Sequence, residues 1–288
     1  MHTIYTVVTP VRDEALYLPQ TIQCMVNQTV RPVEWVVVND GSTDDTGNVI
    51  DEAAKRNSWI RAVHRANRGY REAGGGVVQA FNEGYSTLSH KEWDFVVKLD
   101  GDLTFEPDYF ERCFERFAEN ERLGVGGGAI YHNIKGALEI ETCPRFHVRG
   151  ATKIYRRACW EALGGLLPSA GWDTLDEVKA QMRGWRTESF VDLMVTHHRI
   201  TGAADGGWRN SVKNGRGSFV VGYHPLYIAV RCMSGLLRPP IVVGSIGLAY
   251  GYIRALLDGT DQVSDREVIS YVRNQQLRRL TGRSTMWR

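Results

Sequence analysis

Over the first 120 residues, short apolar runs alternate with longer amphipathic stretches, and this alternation limits the fold more than any other feature of the chain. Thr3–Thr9 is a β-branched run ending at Pro10. Glu34–Asn39 (EWVVVN), Ile60–His64 and Asp94–Leu99 (DFVVKL) are further strand-like runs. Between and after them, Asp13–Asn27, Thr43–Arg56, Arg71–Leu88 and Pro107–Glu119 predict helices. Ser42, Thr43 and acidic residues mark the start of the second, and a proline suits the first turn of the last. Strands that are apolar throughout, rather than at every second position, are buried on both faces. The pattern therefore predicts an α/β fold with a Rossmann-like, mostly parallel sheet flanked by helices. Ligands bind such sheets beyond the carboxyl ends of the strands, so the polar residues there are the first candidates for a site.

The middle of the chain is less regular. Ala151–Arg156 predicts a strand, Arg157–Leu163 a short helix closed by Gly164-Gly165, Trp172–Arg183 a helix and Phe190–His197 a strand. Gly124–Gly128 (GVGGG) looks like a phosphate loop, but it follows a helix and lies within an apparent strand, so it lacks the context of a dinucleotide fingerprint. The five cysteines are odd in number and form no CxxC pair, which argues against a disulfide framework or a cysteine-zinc site and suggests a reducing compartment. The chain opens directly into its first apparent strand, so no secretory signal is expected.

Two strand ends carry chemistry. Lys98-Leu99-Asp100-Gly101-Asp102 closes a hydrophobic strand with two carboxylates two residues apart. Such a pair can face one divalent cation, and hard oxygen donors suit Mg²⁺ or Mn²⁺ shared with substrate phosphates. Asp-Gly-Asp also makes a good turn. The second cluster is Val38–Thr46 (VNDGSTDDT), where Asp40 could accept hydrogen bonds from a base or ribose and Asp44 or Asp45 could cap the following helix.

Thr9-Pro10 with Arg12-Asp13-Glu14, then VVNDGSTDDT, then KLDGD, resemble the family 2 glycosyltransferases of the GT-A fold in order and spacing. The resemblance covers roughly residues 3–200. It implies an inverting, metal-dependent enzyme that moves a sugar from a nucleoside diphosphate to an acceptor hydroxyl. Thr9, Pro10, Glu14 and Asp40 would line the nucleotide, Arg71 would lie near base and phosphates, and Lys98 and Asp100 would join them. Asp100 and Asp102 match the DxD pair, with Asp102 as the direct ligand of Mn²⁺ or Mg²⁺. The nucleotide would be UDP, or else GDP or dTDP.

The catalytic base falls where this sequence departs from the commoner pattern. Counting back from Gly184 places Asp173 at the expected carboxylate, with Asp176 and Glu177 as alternatives on the same helix face. Asp173 also reads as a helix cap. His197-His198 lies about where relatives place a histidine that completes the metal site. Neighbours on a strand face opposite ways, so only one can serve, and the spacing favours His197.

From about Ser218 the character changes. Phe219–Leu257 is apolar and aromatic, broken by Arg231, Arg238 and Pro239-Pro240. Overall charge is +2, yet from Ile200 onward there are twelve Lys/Arg and five Asp/Glu, so a basic tail follows an acidic domain. The uncharged stretch from Pro239 to Ile253 is too short for a spanning helix, which needs roughly twenty residues. The reading is a glycosyltransferase domain over 1–217 and a helical region over 218–288 that lies on an anionic membrane surface, or packs on the domain as a hairpin. This places the protein in the cytoplasm at the inner membrane face, with a polysaccharide or polyprenyl-linked saccharide as acceptor and no nucleic-acid partner. A nucleotidyltransferase and a non-catalytic nucleotide- or saccharide-binding protein are the alternatives.

Overall fold

Consecutive residues of a strand point to opposite sides of a sheet, and the central strands obey this with apolar residues on both. In the computed structural model, which describes residues 3–70, 75–134, 136–169, 171–199, 206–236 and 242–285, Val7, Val37 and Val97 enter one apolar layer. Their neighbours Val8, Val36, Val38 and Val96 enter the other. The first layer joins Leu18, Met25, Phe110 and Phe114, and the second joins Phe81, Tyr155 and Trp160. These residues come from strands β1 (Tyr5–Val11), β2 (Glu34–Asn39), β4 (Phe95–Leu99) and β8 (Thr152–Arg156), and from helices α1 (Leu18–Val26), α3 (Gly75–Ser86), α4 (Tyr109–Glu119) and α5 (Arg157–Leu163).

With β3 (Ile60–His64), β5 (Leu103–Phe105), β6 (Leu123–Ile134) and β9 (Arg186–His197), the sheet runs β3-β2-β1-β4-β8-β6-β9-β5, and β7 (Ala137–Ile140) pairs with β6. The half built from β3, β2, β1 and β4 is parallel, as the continuous apolar runs predict. Beyond β4 the sheet is mixed. β8 is antiparallel to both β4 and β6, β6 is parallel to β9, and β5 is antiparallel to β9. This extension turns the ends of β9 and β5 back toward the carboxyl edge of the parallel half.

Several boundaries differ from the sequence expectation, with local causes. α1 begins at Leu18 rather than Asp13, because Asp13 adopts a left-handed conformation (φ 55°) and residues 13–17 form a loop. α2 (Thr46–Arg56) begins three residues late, behind a turn made by Asp44. β9 begins at Arg186, four residues before Phe190, because its first residues pair with β6. β5 and β7 are too short to show a period. Gly124–Gly128 lies inside β6, where a side chain at Gly127 would meet the Thr152 carbonyl at 2.4 Å and one at Gly128 the Leu193 carbonyl at 2.4 Å. Those glycines serve close backbone packing.

The C-terminal residues form α7 (Gly206–Val220), α8 (Pro225–Gly235), α9 (Val243–Leu257) and α10 (Arg266–Leu280). α7 carries the chain through the change of composition at 217–218. α10 sets Val268 and Val272 against Leu175 and Val178 of α6 (Trp172–Met182). Among the described residues no helix is long and apolar enough to cross a membrane.

α7 and α9 touch backbone to backbone. A Cβ at Gly251 would lie 2.0 Å from the Val212 carbonyl, and one at Gly215 would lie 2.1 Å from that of Leu248. Gly251→Ala should therefore cost about 1–3 kcal/mol through overpacking. Gly217→Ala, where nothing lies within 4 Å of the added methyl, should gain about 0.5–1 kcal/mol from helix propensity. Thermal unfolding of the two variants checks this pair, and equal melting temperatures would remove the close-approach role of Gly251.

Candidate active site at the carboxyl edge of the sheet

The loops after β1 and β2 hold each other. The Asp13 N–H donates to Ser42 Oγ at 3.0 Å, Glu14 N–H to Thr46 Oγ1 at 2.8 Å and Ala15 N–H to Asp44 Oδ2 at 3.0 Å. In return the Thr43 N–H donates to Asp13 Oδ1 at 2.7 Å. Asp45 occupies the N-cap position of α2 without a side-chain bond to the backbone, and it is Asp44, one residue earlier, that accepts the Thr46 N–H at 3.0 Å. Burial raises the Asp44 carboxyl, but its hydrogen bonds outweigh this and hold the pKa below the usual range. Gly41 sits at φ +70°, and a Cβ there would meet the Asn67 Cα at 2.5 Å, so only glycine fits this turn.

Asp40, at the end of β2, is buried between two arginines that sequence reasoning did not single out. Arg65 pairs with one carboxylate oxygen and Arg68 with the other at 2.6 Å, while Arg12 donates to the Asp40 carbonyl at 3.1 Å. The signal was the run His64-Arg65-Ala66-Asn67-Arg68 directly after β3. Arg71 lies outside the described residues. Thr9 and Pro10 are buried in β1, and the Thr9 hydroxyl accepts the Trp35 indole N–H at 2.9 Å, so Thr9 supports β2 from within the core. Glu14 is buried and paired with Arg199 at 2.8 Å, a residue one past the His197-His198 pair.

The centre of the edge is the cluster Asp100, Asp102 and His197, each offering a ligand atom within 4.8 Å of the others. An octahedral ion with ligands at about 2.1 Å separates them by about 3–4 Å, so a small contraction closes the set. Gly101 between the two aspartates permits this turn, since a Cβ there would meet Val11 Cγ1 at 2.4 Å. His197 Nε2 and Asp102 Oδ2 are 3.1 Å apart. Burial lowers the imidazole pKa, but the hydrogen bond to Asp102 and its charge outweigh that and leave it raised. Burial disfavours charge on Asp100, and the neighbouring Asp102 adds to this against the pull of Lys98, so its pKa is raised. Two carboxylates that resist ionising together, with an imidazole beside them, are the donor set that a divalent cation satisfies. Among the described residues no other such cluster occurs.

His198 points elsewhere. Its Nε2 lies 3.0 Å from Thr104 Oγ1 and its ring stacks on Tyr17, at 5.5 Å between centroids. The alternation along β9 thus places His197 with the aspartates and His198 outside them.

Lys98 joins this cluster to α6. Its buried ammonium pairs with Asp100, donates to the Gly150 carbonyl at 2.6 Å and lies 5.4 Å from the centre of the Trp172 ring. Asp173 follows Trp172. Its side chain is 26 % exposed, and its nearest cation is Arg149 at 3.9 Å. Burial raises its pKa, but Lys153 first, then His147 and Arg149, overcome this and hold the carboxyl below the usual range. The two alternatives are spent on structure. Asp176 binds Lys153 at 2.8 Å and accepts from Tyr155, and Glu177 accepts the Val148 N–H at 2.6 Å beside His147 at 2.8 Å. Both are buried, Glu177 completely. Lys153, Trp172, Arg149 and His147 were missed by the sequence reading. A lysine inside a predicted apolar strand was the available signal.

Comparison with known proteins agrees with this geometry. The family model "Glycosyl transferase family 2" matches residues 6–158. The chain is 26 % identical over 133 residues to the glycosyltransferase GlyG of Streptococcus pneumoniae, covering 46 % of this chain and 40 % of GlyG. It spans well under two thirds of the curated relatives it matches. Among solved structures it resembles the Pyrobaculum calidifontis mannosyltransferase PcManGT in complex with GDP-Man and Mn²⁺, with a TM-score of 0.59 at 16 % identity, over 92 % of this chain and 78 % of that one. It also resembles S. aureus TarS 1–349 in complex with UDP, with a TM-score of 0.54 at 14 % identity, over 91 % and 95 % of the two chains. The fold is that of the GT-A glycosyltransferases, and with more than half of its length matched by the family model the chain belongs to glycosyl transferase family 2.

Proposed function

We propose that the chain transfers a sugar from a nucleoside diphosphate to an acceptor hydroxyl, with inversion, in the presence of a divalent cation. The observation that carries this reading is the Asp100, Asp102 and His197 cluster at the carboxyl edge, joined through Lys98 and Trp172 to the partly exposed carboxylate of Asp173. The matched family favours sugar transfer over nucleotidyl transfer. Asp100, Asp102 and His197 would hold Mn²⁺ or Mg²⁺, with Asp102 as the direct ligand. When bound, the cation would take up charge developing on the departing diphosphate. Asp40, between Arg65 and Arg68, would bind the nucleoside end of a UDP-, GDP- or dTDP-sugar. Asp173 accepts the proton of the acceptor hydroxyl as its oxygen bonds to the anomeric carbon and the bond to the diphosphate breaks. Inversion follows from this single displacement.

We further read the C-terminal region, 218–288, as peripheral to an anionic membrane surface on the cytoplasmic side, bringing the domain of residues 1–217 to a polysaccharide or lipid-linked acceptor. Supporting this, residues 206–257 contain five arginines and one lysine and no Asp or Glu.

Three outcomes are expected. Asp102→Asn should abolish the stabilisation that Mn²⁺ with UDP or GDP gives in thermal shift and should lower transfer at least about a hundredfold. Full turnover insensitive to EDTA would refute the metal role. Asp173→Asn should lower kcat by about 10²–10⁴ with donor affinity unchanged. Glu177→Gln instead breaks a buried ion pair and should destabilise the fold by about 3–5 kcal/mol; a stable Glu177→Gln protein without activity would move the base there. Finally, the full chain should sediment with phosphatidylglycerol vesicles more than with phosphatidylcholine vesicles, and less so in high salt, since each surface cation contributes on the order of 1 kcal/mol. Indifference to both vesicles would refute the peripheral reading.

A further inference from the structure

We propose that the cavity between α8 and α9 is a binding site for the hydrocarbon tail of a lipid in the bilayer on which the protein lies. This rests on the peripheral reading above and gives it a specific lipid contact. The cavity measures about 500 Å³ and its wall is built mostly from Phe219, Ile228, Cys232, Ala249, Tyr252 and Leu256. The polar groups on the wall are tied to backbone carbonyls. Gln262 Nε2 donates to Phe219 at 3.0 Å, Tyr252 Oη to Tyr223 at 2.7 Å and Arg273 Nε to Gly222 at 2.9 Å. A nucleotide or sugar needs convergent polar groups, whereas an apolar cavity of this size suits a hydrocarbon chain.

The mouth of the cavity lies on an apolar face. On α8, Leu226, Ala229 and Met233 are exposed at spacings of three and four, and Leu236 continues the stripe. On α9, Val243, Ile246, Tyr250, Ile253 and Leu257 repeat the same spacing, all exposed. Such stripes are the outward faces of helices that meet an apolar medium. Ala229 and Ile253 belong both to the stripes and to the cavity wall, so the cavity opens between them. Exposed Arg231 and Arg254 stand on the same two helices, Arg254 paired with Asp258 at 3.2 Å. An anionic bilayer answers all three features at once, with head groups for the arginines, an interior for the stripes and a tail for the cavity. A second copy of the chain would instead lay the two stripes together with no acid on α8 or α9 to meet Arg231 across the seam.

The test uses the full chain and two readouts: fluorescence of a dansyl-labelled undecanoic acid without vesicles, and sedimentation with phosphatidylglycerol vesicles. Wild type should bind the probe. Ala249→Phe, which fills the interior, and Ala229→Trp, which plugs the mouth, should weaken probe binding by about tenfold or more while donor binding is unchanged. Ile246→Glu with Leu257→Glu, on the stripe but off the wall, should reduce sedimentation and keep probe binding. Should Ala249→Phe fail to fold, the exposed Ala229→Trp decides. Wild type that ignores the probe, or plugged variants that bind it equally, overturns the site. A dimer in ultracentrifugation that Leu257→Glu dissociates assigns the face to a second copy and also overturns it. Vesicle sedimentation reports on the peripheral reading and the probe on the cavity, so the two fail separately.

Discussion

Two buried ammonium groups over one indole ring organise the site. Lys98 and Lys153 lie 5.4 and 5.5 Å from the centre of Trp172, and both are almost wholly removed from solvent. A buried charge without a partner is strongly destabilising, so each lysine dictates where carboxylates must stand. Lys98 claims Asp100 at the end of β4. Lys153, directly opposite Lys98 across the β4–β8 ladder, claims Asp176 and Glu177 and donates to the Asp173 carbonyl. Because β4 and β8 are hydrogen-bonded neighbours, these two pairings lock the first turn of α6 against the carboxyl edge. Asp173 is left as the acidic residue of that turn still in contact with solvent.

The parallel half of the sheet was legible because its strands are apolar on both faces, and the period of their burial leaves few alternatives. Beyond it, β8, most of β9 and the glycine run of β6 were expected as strands, and what escaped reading was their mixed pairing and the two short strands. β5 has three residues and β7 four, too few to show any period. Strand β6 carries a glycine run whose purpose is visible only when the Thr152 and Leu193 carbonyls lie against it. Helix starts were placed early wherever a polar loop residue resembled a cap. At Asp13 the side chain binds the neighbouring loop, and the backbone is left-handed.

Within the site, the motif carboxylates were legible from spacing at the strand ends, whereas their partners were not. Arg65 and Arg68 reach Asp40 from the loop after the neighbouring strand, and Arg199 reaches Glu14 from 185 residues along the chain. No local pattern announces such pairs. Strand alternation did separate His197 from His198, and the structure sets the first against Asp102 and the second against Thr104. Helical spacing could not separate the surroundings of Asp173 from those of Asp176 and Glu177, since these turn on Lys153, a residue that lies in another element.

The pairing of His197 with Asp102 spans 95 residues of sequence. It depends on β9 lying beside β6 and on the three-residue β5 pairing with the end of β9. Loop-closure entropy makes such distant pairings among the slower events of folding. The third member of the cluster therefore arrives only after nearly the whole sheet has assembled. During synthesis, a chain still lacking β9 presents the two aspartates without the histidine. The full donor set is thus a property of the completed domain, and under the proposed function a bound cation would report chain closure as well as serve the chemistry.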